Sequence, residues 1–343
     1  MKRTLTLLSV MLPLIGASTV TYADTWVVTA NNDADNNRLL VFDLDGKQRQ
    51  SLATGGQGGV SGNSGGIAAN GNMVAVVNYG SNSVSIFTPL PDISNGFQLH
   101  EIVSTASNPV SVAWSSDHLY ILGTTTVESH PYWNSWVSMN ADGTVGLMLA
   151  DGSAAQVGVL PNSLIITEKT NVIETVALDL GGPVMGSPAL VANIPANVNA
   201  PFGLVTRSNN AWVTIAHANE MSLVRDGAVL TTVAPGAQMA PCWVTLDGPF
   251  LYSANSPSMS ISRMAVYGQK IVLDLEVAAK TVNNPTDIAY SNNVLGVIDS
   301  DGTSVTHVSI FTVDEDGNLT LSNSETINSA TVNGMAVVVT SSN

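Results

Sequence analysis

The sequence has one cysteine, Cys242, in 343 residues. No internal disulfide can form, so the fold rests on its core. Metal sites built on Cys/His spacing are excluded as well. Charge is also scarce. Asp, Glu, Lys and Arg make up 11% of the chain, with 11 basic residues against 26 acidic ones and a formal net charge of −15. Such a polyanion repels nucleic acid and anionic lipid, so neither is expected as a partner. A sequence this poor in Lys, Arg and Glu also lacks the residues that cover exposed helix faces. After residue 25 no apolar run recurs at helical spacing. The apolar run from Leu5 to Ala17 is well short of the ~20 residues that a membrane-spanning helix needs, so no stable membrane insertion is expected.

That run follows Lys2 and Arg3 and ends in the small-residue stretch Thr21-Tyr22-Ala23. Basic start, short apolar segment and small cleavage site are the order of a secretory signal peptide. The reading is a signal peptide over residues 1–23 and one domain over residues 24–343, exported to the periplasm or beyond. Removing Lys2 and Arg3 takes the net charge from −15 to −17.

Gly, Asn, Ser, Thr and Val are abundant, and 45% of the chain is hydrophobic, a mixture that favours strands and tight turns over a sizeable core. The ending VSIF of Asn78-Tyr-Gly-Ser-Asn-Ser-Val-Ser-Ile-Phe87 returns at Val308–Phe311. A longer-range pattern explains the recurrence. A Pro or small residue, two variable positions and an aliphatic residue open a strand at Ser64, Pro109, Ala154, Pro201, Pro241, Pro285 and Gly334. The intervals are 45, 45, 47, 40, 44 and 49 residues. Each interval carries four short strands separated by turns such as Asp45-Gly46 or Asp316-Gly317. This is the pattern of propeller blades. The fold class read from it is all-β: a seven-bladed β-propeller with four antiparallel strands per blade. The final strand, Gly334–Val339, should pair beside Trp26–Ala30 and close the ring, leaving a monomer with few exposed sheet edges.

The segments VVNYGSNSVSIF and NPVSVAW resemble the YVTN-type repeats of the lactonase-like seven-bladed propellers, which include 6-phosphogluconolactonase-like and carboxymuconate-cyclase-like proteins. The resemblance implies the same fold and hydrolysis or isomerisation of a small lactone-like or cyclic molecule at the channel mouth. Where the resembled enzymes carry a His two positions after the marker Pro, this sequence has Ser111, Gly203, Trp243 or Asp287.

In a propeller, the starts of the first strands and the ends of the second strands crowd one mouth of the central channel. Candidate residues are therefore taken from these positions. His217 is a candidate general base with Glu168 or Asp287 supporting it, since imidazole titrates near neutrality. Glu168, Asn255, Asp287 and Asp299 form an alternative oxygen set for a possible calcium ion. A third possibility is that an Asp two positions after the marker only bonds backbone N–H groups. Asn78, Ser111, Gln156 and Trp243 are candidate ligand contacts. So are Tyr132 and Trp133, in an insertion expected to rise on the same face, where Trp136 alternatively enters the blade. No Lys or Arg falls on these positions, and Lys169 is expected to point away. A phosphorylated substrate would want Arg forks there, so a mostly neutral small molecule is expected. The alternative is a non-catalytic scaffold that binds a ligand or a protein partner. Gly55–Gly66 lacks the G-x-G-x-x-G spacing of a phosphate loop and reads as a flexible loop. Cys242 reads as a buried small hydrophobe.

Overall fold

The computed structural model describes residues 24–90, 96–180, 182–194 and 200–340. The expected signal peptide lies outside the described residues. Seven antiparallel sheets follow one another around a ring. Blade one joins the C-terminal strand Asn333–Thr340 to Asp24–Ala30, Arg38–Phe42 and Gln48–Ala53. The innermost strands of blades two to seven are Ile67–Asn70, Pro109–Trp114, Ala154–Leu160, Pro201–Arg207, Pro241–Asp247 and Asn284–Ser291. Six of the seven sequence markers thus stand at the first or second residue of an innermost strand, and the seventh, Ser64, stands three residues ahead of Ile67. Ring closure follows the expected pairing, with Asp24 opposite Thr340 and Val27 opposite Val337. This pairing satisfies the backbone groups of both terminal strands.

Burial explains the strand composition. The second strands, such as Met73–Asn78 and Val294–Ser300, are buried along their whole length because neighbouring blades cover both faces. They therefore read as continuous apolar runs. The outermost strands, such as Lys270–Lys280 and Leu319–Ile327, are mostly exposed or half-buried. Blades two and five turn from second to third strand through a one-turn 3-10 segment ended by Asn82 and Asn219, with φ of 48° and 55°. Asn tolerates this left-handed conformation better than most residues.

Two features bear on the channel. The innermost pairing carries a register shift at the marker in blades one and three to seven, for example between Pro241 and Trp243 and between Pro285 and Asp287. Such a bulge re-aims the side chain that follows it. The second feature corrects the reading of blade three. Residues 126–133 are the third strand itself, running away from the marker end, and not a loop rising over it. Its last residue, Trp133, pairs with Trp136 across a two-residue turn at Asn134 and Ser135, whose φ values of 48° and 69° suit a primed hairpin turn.

Candidate functional site: a channel closed at one end

The inner strands surround a cavity of about 440 Å³ along the ring axis. Ser64, Gln156 and Asp287 line its marker end, and Trp114, Thr206, Tyr290 and Ser291 its opposite end. Between them the wall includes the small residues Ala68, Ala113, Gly158 and Ala289.

The marker end is closed by the glycine-rich loop. Leaving blade one, the chain crosses to blade four, where Ser64 N–H donates to the Ala155 carbonyl at 3.1 Å. It touches blade three, where Asn63 Nδ2 donates to the Val110 carbonyl at 2.6 Å. It reaches blade six, where Trp243 Nε1 donates to the Asn63 carbonyl at 3.2 Å, and blade one, where Asn333 Nδ2 donates to Asn63 Oδ1 at 2.9 Å. Below the loop Trp243 meets Phe202 edge to face at 5.3 Å. The loop expected to be slack is thus tied down on several sides of the ring. Lys169 departs from expectation too: its Nζ donates to the Gly62 carbonyl at 2.6 Å, so it holds the lid. Burial lowers the pKa of that ammonium.

The residues predicted to converge at this mouth are not assembled into one site. His217 is exposed on the 3-10 turn of blade five. Glu168 is fully buried in blade four and accepts from Ser153 Oγ at 2.8 Å. Burial and then the nearness of Glu174 and Asp151 push its carboxyl up to about 7, and burial raises Glu174 as well. Asn255 donates to Ser260 and Ser262 within blade six. Asp299 accepts from Asn283 N–H at 2.8 Å and lies 3.1 Å from His307 Nδ1. The four oxygen residues proposed for calcium are therefore separated among blades four, six and seven. Among the described residues no three His, Cys, Asp or Glu side chains lie close enough to hold a metal. The set does not fit a calcium site.

Asn78, also fully buried, donates to Ser83 and Ser85, repeating the Asn255 arrangement one half-ring away. Ser111 and Gln156 stitch blades together. Ser111 Oγ accepts Val157 N–H at 3.3 Å, and Gln156 Oε1 accepts Leu204 N–H at 2.6 Å. The innermost strand is the edge of its sheet, so these amides need a partner from next door. Asp287 makes the corresponding stitch between blades seven and one, accepting the amides of Ile288, at 2.8 Å, and Met335. Burial pushes its carboxyl up to about 7 despite those two donors. Cys242 is half-buried, with its thiol pushed up to about 12 by burial, which leaves it unreactive near neutrality.

The open end contains groups that the sequence had placed elsewhere. Tyr132 stacks edge to face on Trp114 at 5.1 Å, and its hydroxyl accepts from Asn70 Nδ2 at 2.6 Å. It backs Trp114 and stands opposite the marker end. Trp133 and Trp136 are exposed on their hairpin, 58% and 52%, so Trp136 does not enter the blade core. Trp114 and Tyr290 both lie five positions after a marker Pro, a periodicity that the sequence carries.

No family model and no curated protein matches this sequence. Solved structures do. A functionally unknown protein from Desulfotomaculum acetoxidans has a TM-score of 0.67 at 10% identity, covering 93% of this chain and 99% of its own. A putative 6-phosphogluconolactonase from Bacteroides fragilis has a TM-score of 0.66 at 16% identity, covering 94% and 99%. A periplasmic gluconolactonase from Pseudomonas aeruginosa has a TM-score of 0.65 at 14% identity, covering 92% and 99%. The molecule thus has the seven-bladed propeller fold of the lactonase-like structures. At these identities the likeness is one of fold, and function has to be argued from the channel.

Proposed function

We propose that the protein is a binding propeller that admits a small, non-anionic molecule into its channel from the Trp114–Tyr290 end. One observation carries this reading. The end where the sequence placed catalysis is filled by the lid and Trp243, while the partly exposed opposite end leads into a lined cavity. Among the described residues no Lys, Arg or His lines that cavity, which disfavours phosphates and polycarboxylates. A panel of small molecules, glucono-δ-lactone included, would be screened by thermal shift and calorimetry. Ligands of the channel should be lost in Ala113→Leu, which narrows it, and weakened in Trp114→Ala. A ligand indifferent to both changes but sensitive to Trp243→Ala would overturn the reading.

A second reading, lactone hydrolysis, is favoured by the fold shared with the gluconolactonases and by a channel carboxyl that titrates near neutrality. Asp287 would take a proton from the water that attacks the ring carbonyl and return it to the ring oxygen as the acyl C–O bond breaks, giving the hydroxy acid. Absence of any rate above background with glucono-δ-lactone, or equal turnover in Asp287→Asn, retires it. Export is part of the proposal: cleavage after Ala23 leaves the closing pair of Asp24 with Thr340 intact, and the isolated mature chain should begin at Asp24.

A further inference from the structure

Ser111 and Gln156 make their stitches with neutral side chains. Asp287 makes the same kind of stitch with a carboxylate. Holding two backbone amides does not require a charge, so the charge of Asp287 is surplus to the architecture. It is placed where surplus charge is costly: the side chain is 4% exposed and lines the closed end of the channel. No cationic side chain shares that wall among the described residues. Lys169 and Arg207 are occupied elsewhere. Lys169 Nζ donates to the lid carbonyl of Gly62, and Arg207 donates to the Gly248 carbonyl while lying 5.4 Å over the Trp212 ring. A buried carboxylate held by backbone amides but with no cationic side chain on its wall is stabilised by an incoming cation that brings its own charge.

The remaining wall limits the shape of that cation. Ala68, Ala113 and Ala289 line the passage between the ends, Tyr290 lies three positions beyond Asp287 along the strand, and at ~3.3 Å per residue the span is about 10 Å. Trp114 and Tyr290 at the far end offer aromatic surface to an apolar or ring-bearing tail.

We infer that the channel is a site for a slender organic monocation, a primary ammonium on a short alkyl or arylalkyl stem, with the ammonium at Asp287 and the tail between Trp114 and Tyr290. This rests on the proposed access from the open end and adds the charge of the ligand to it. Ser64 and Gln156, which line the same end, are polar neighbours of the seated head group.

The test is calorimetry on the full mature chain with n-hexylammonium, phenethylammonium, 1-hexanol and hexanoate, compared with glucono-δ-lactone. Both ammonium compounds should bind, 1-hexanol should bind about tenfold more weakly or worse, and hexanoate should not bind. Asp287→Asn keeps the Oδ1 acceptor for the Ile288 amide, so it should fold with an unchanged circular dichroism spectrum. It should lose the preference for ammonium over alcohol. Trp114→Ala should weaken phenethylammonium more than hexylammonium. Equal affinity for hexylammonium and hexanol, or an ammonium preference that survives in Asp287→Asn, overturns the inference while leaving channel binding in place. Binding of hexylammonium that persists in Ala113→Leu overturns the channel reading itself.

Discussion

The two ends of the channel are built from the same strands and differ in what crosses them. At the marker end six of the seven innermost pairings carry bulges, and one long loop lies over them, tied by Asn63, Ser64, Lys169 and Trp243. At the other end the strands simply stop at partly exposed residues such as Trp114, Tyr290 and Ser291. The difference teaches that a propeller's repeat does not decide which mouth is usable. A single irregular segment outside the repeat does that, here the run from Gly55 to Gly66. Its glycines at 55, 59, 62 and 65 have φ between 61° and 94°, which lets the chain turn tightly enough to lie across the opening.

The comparison is broken most severely at Trp243. This side chain plugs the closed end, is buried, and bonds the lid carbonyl of Asn63. Trp243→Ala should cost about 3–5 kcal/mol, measured by urea denaturation, because both the packing against Phe202 and the lid contact are lost. A loss under 1 kcal/mol would mean that the lid is not held from blade six at all.

Asn63→Ala comes next. Two hydrogen bonds made by its side chain disappear, and the Val110 carbonyl and Asn333 side-chain amide they served lie in buried or partly buried positions, so about 1–3 kcal/mol is expected. Hydrogen exchange should rise across residues 58–66 and stay unchanged at Trp114. Uniform exchange across both ends would sink the asymmetry.

In blade four, Glu168 and Glu174 sharpen the comparison through pH. Burial raises both carboxyls, Glu168 from 4.5 to about 7. The folded chain therefore holds a proton that the unfolded chain releases. Stability from this source is complete below the unfolded value and falls as pH rises toward about 7. The urea midpoint should drop between pH 5 and pH 7.5. Glu168→Gln, which carries no ionisable proton, should flatten the profile by gaining stability at the upper end. An unchanged slope in that variant assigns the pH dependence elsewhere.

The blade count and closure were legible because each marker opens a strand at a fixed interval, and because the chain ends on the strand that its beginning lacks. Candidate sites were legible only as positions. Glu168, Asn255 and Asp299 were placed correctly at the ends of second strands, yet those ends lie under loops and inside their own blades. Periodicity gives the level of a residue in a blade; it gives neither its cover nor the direction imposed by a bulge. Tyr132 and Trp133 lie at the end opposite the one expected, for a related reason. Residues 126–133 continue the sheet with strand pairing through Pro131, whereas Pro within a run ordinarily argues for a loop or an edge.

The smallest effect is expected at Trp133, where the open face carries exposed apolar surface. Its partner across the turn, Trp136, rests against His100 at 4.1 Å, but Trp133 itself is 58% exposed. Little packing is removed with it, so Trp133→Ala should change stability by less than about 0.5 kcal/mol. The hairpin should persist, since Asn134 and Ser135 set its turn and the Val137 amide still donates to Glu101 at 2.6 Å. Channel binding should be untouched, because Trp133 does not line the cavity. A loss above 1 kcal/mol would show that the tip packs as part of the blade. A loss of channel affinity would extend the site outward from Trp114 to the hairpin, and the open end would then be a larger surface than its ring of Trp114, Thr206, Tyr290 and Ser291.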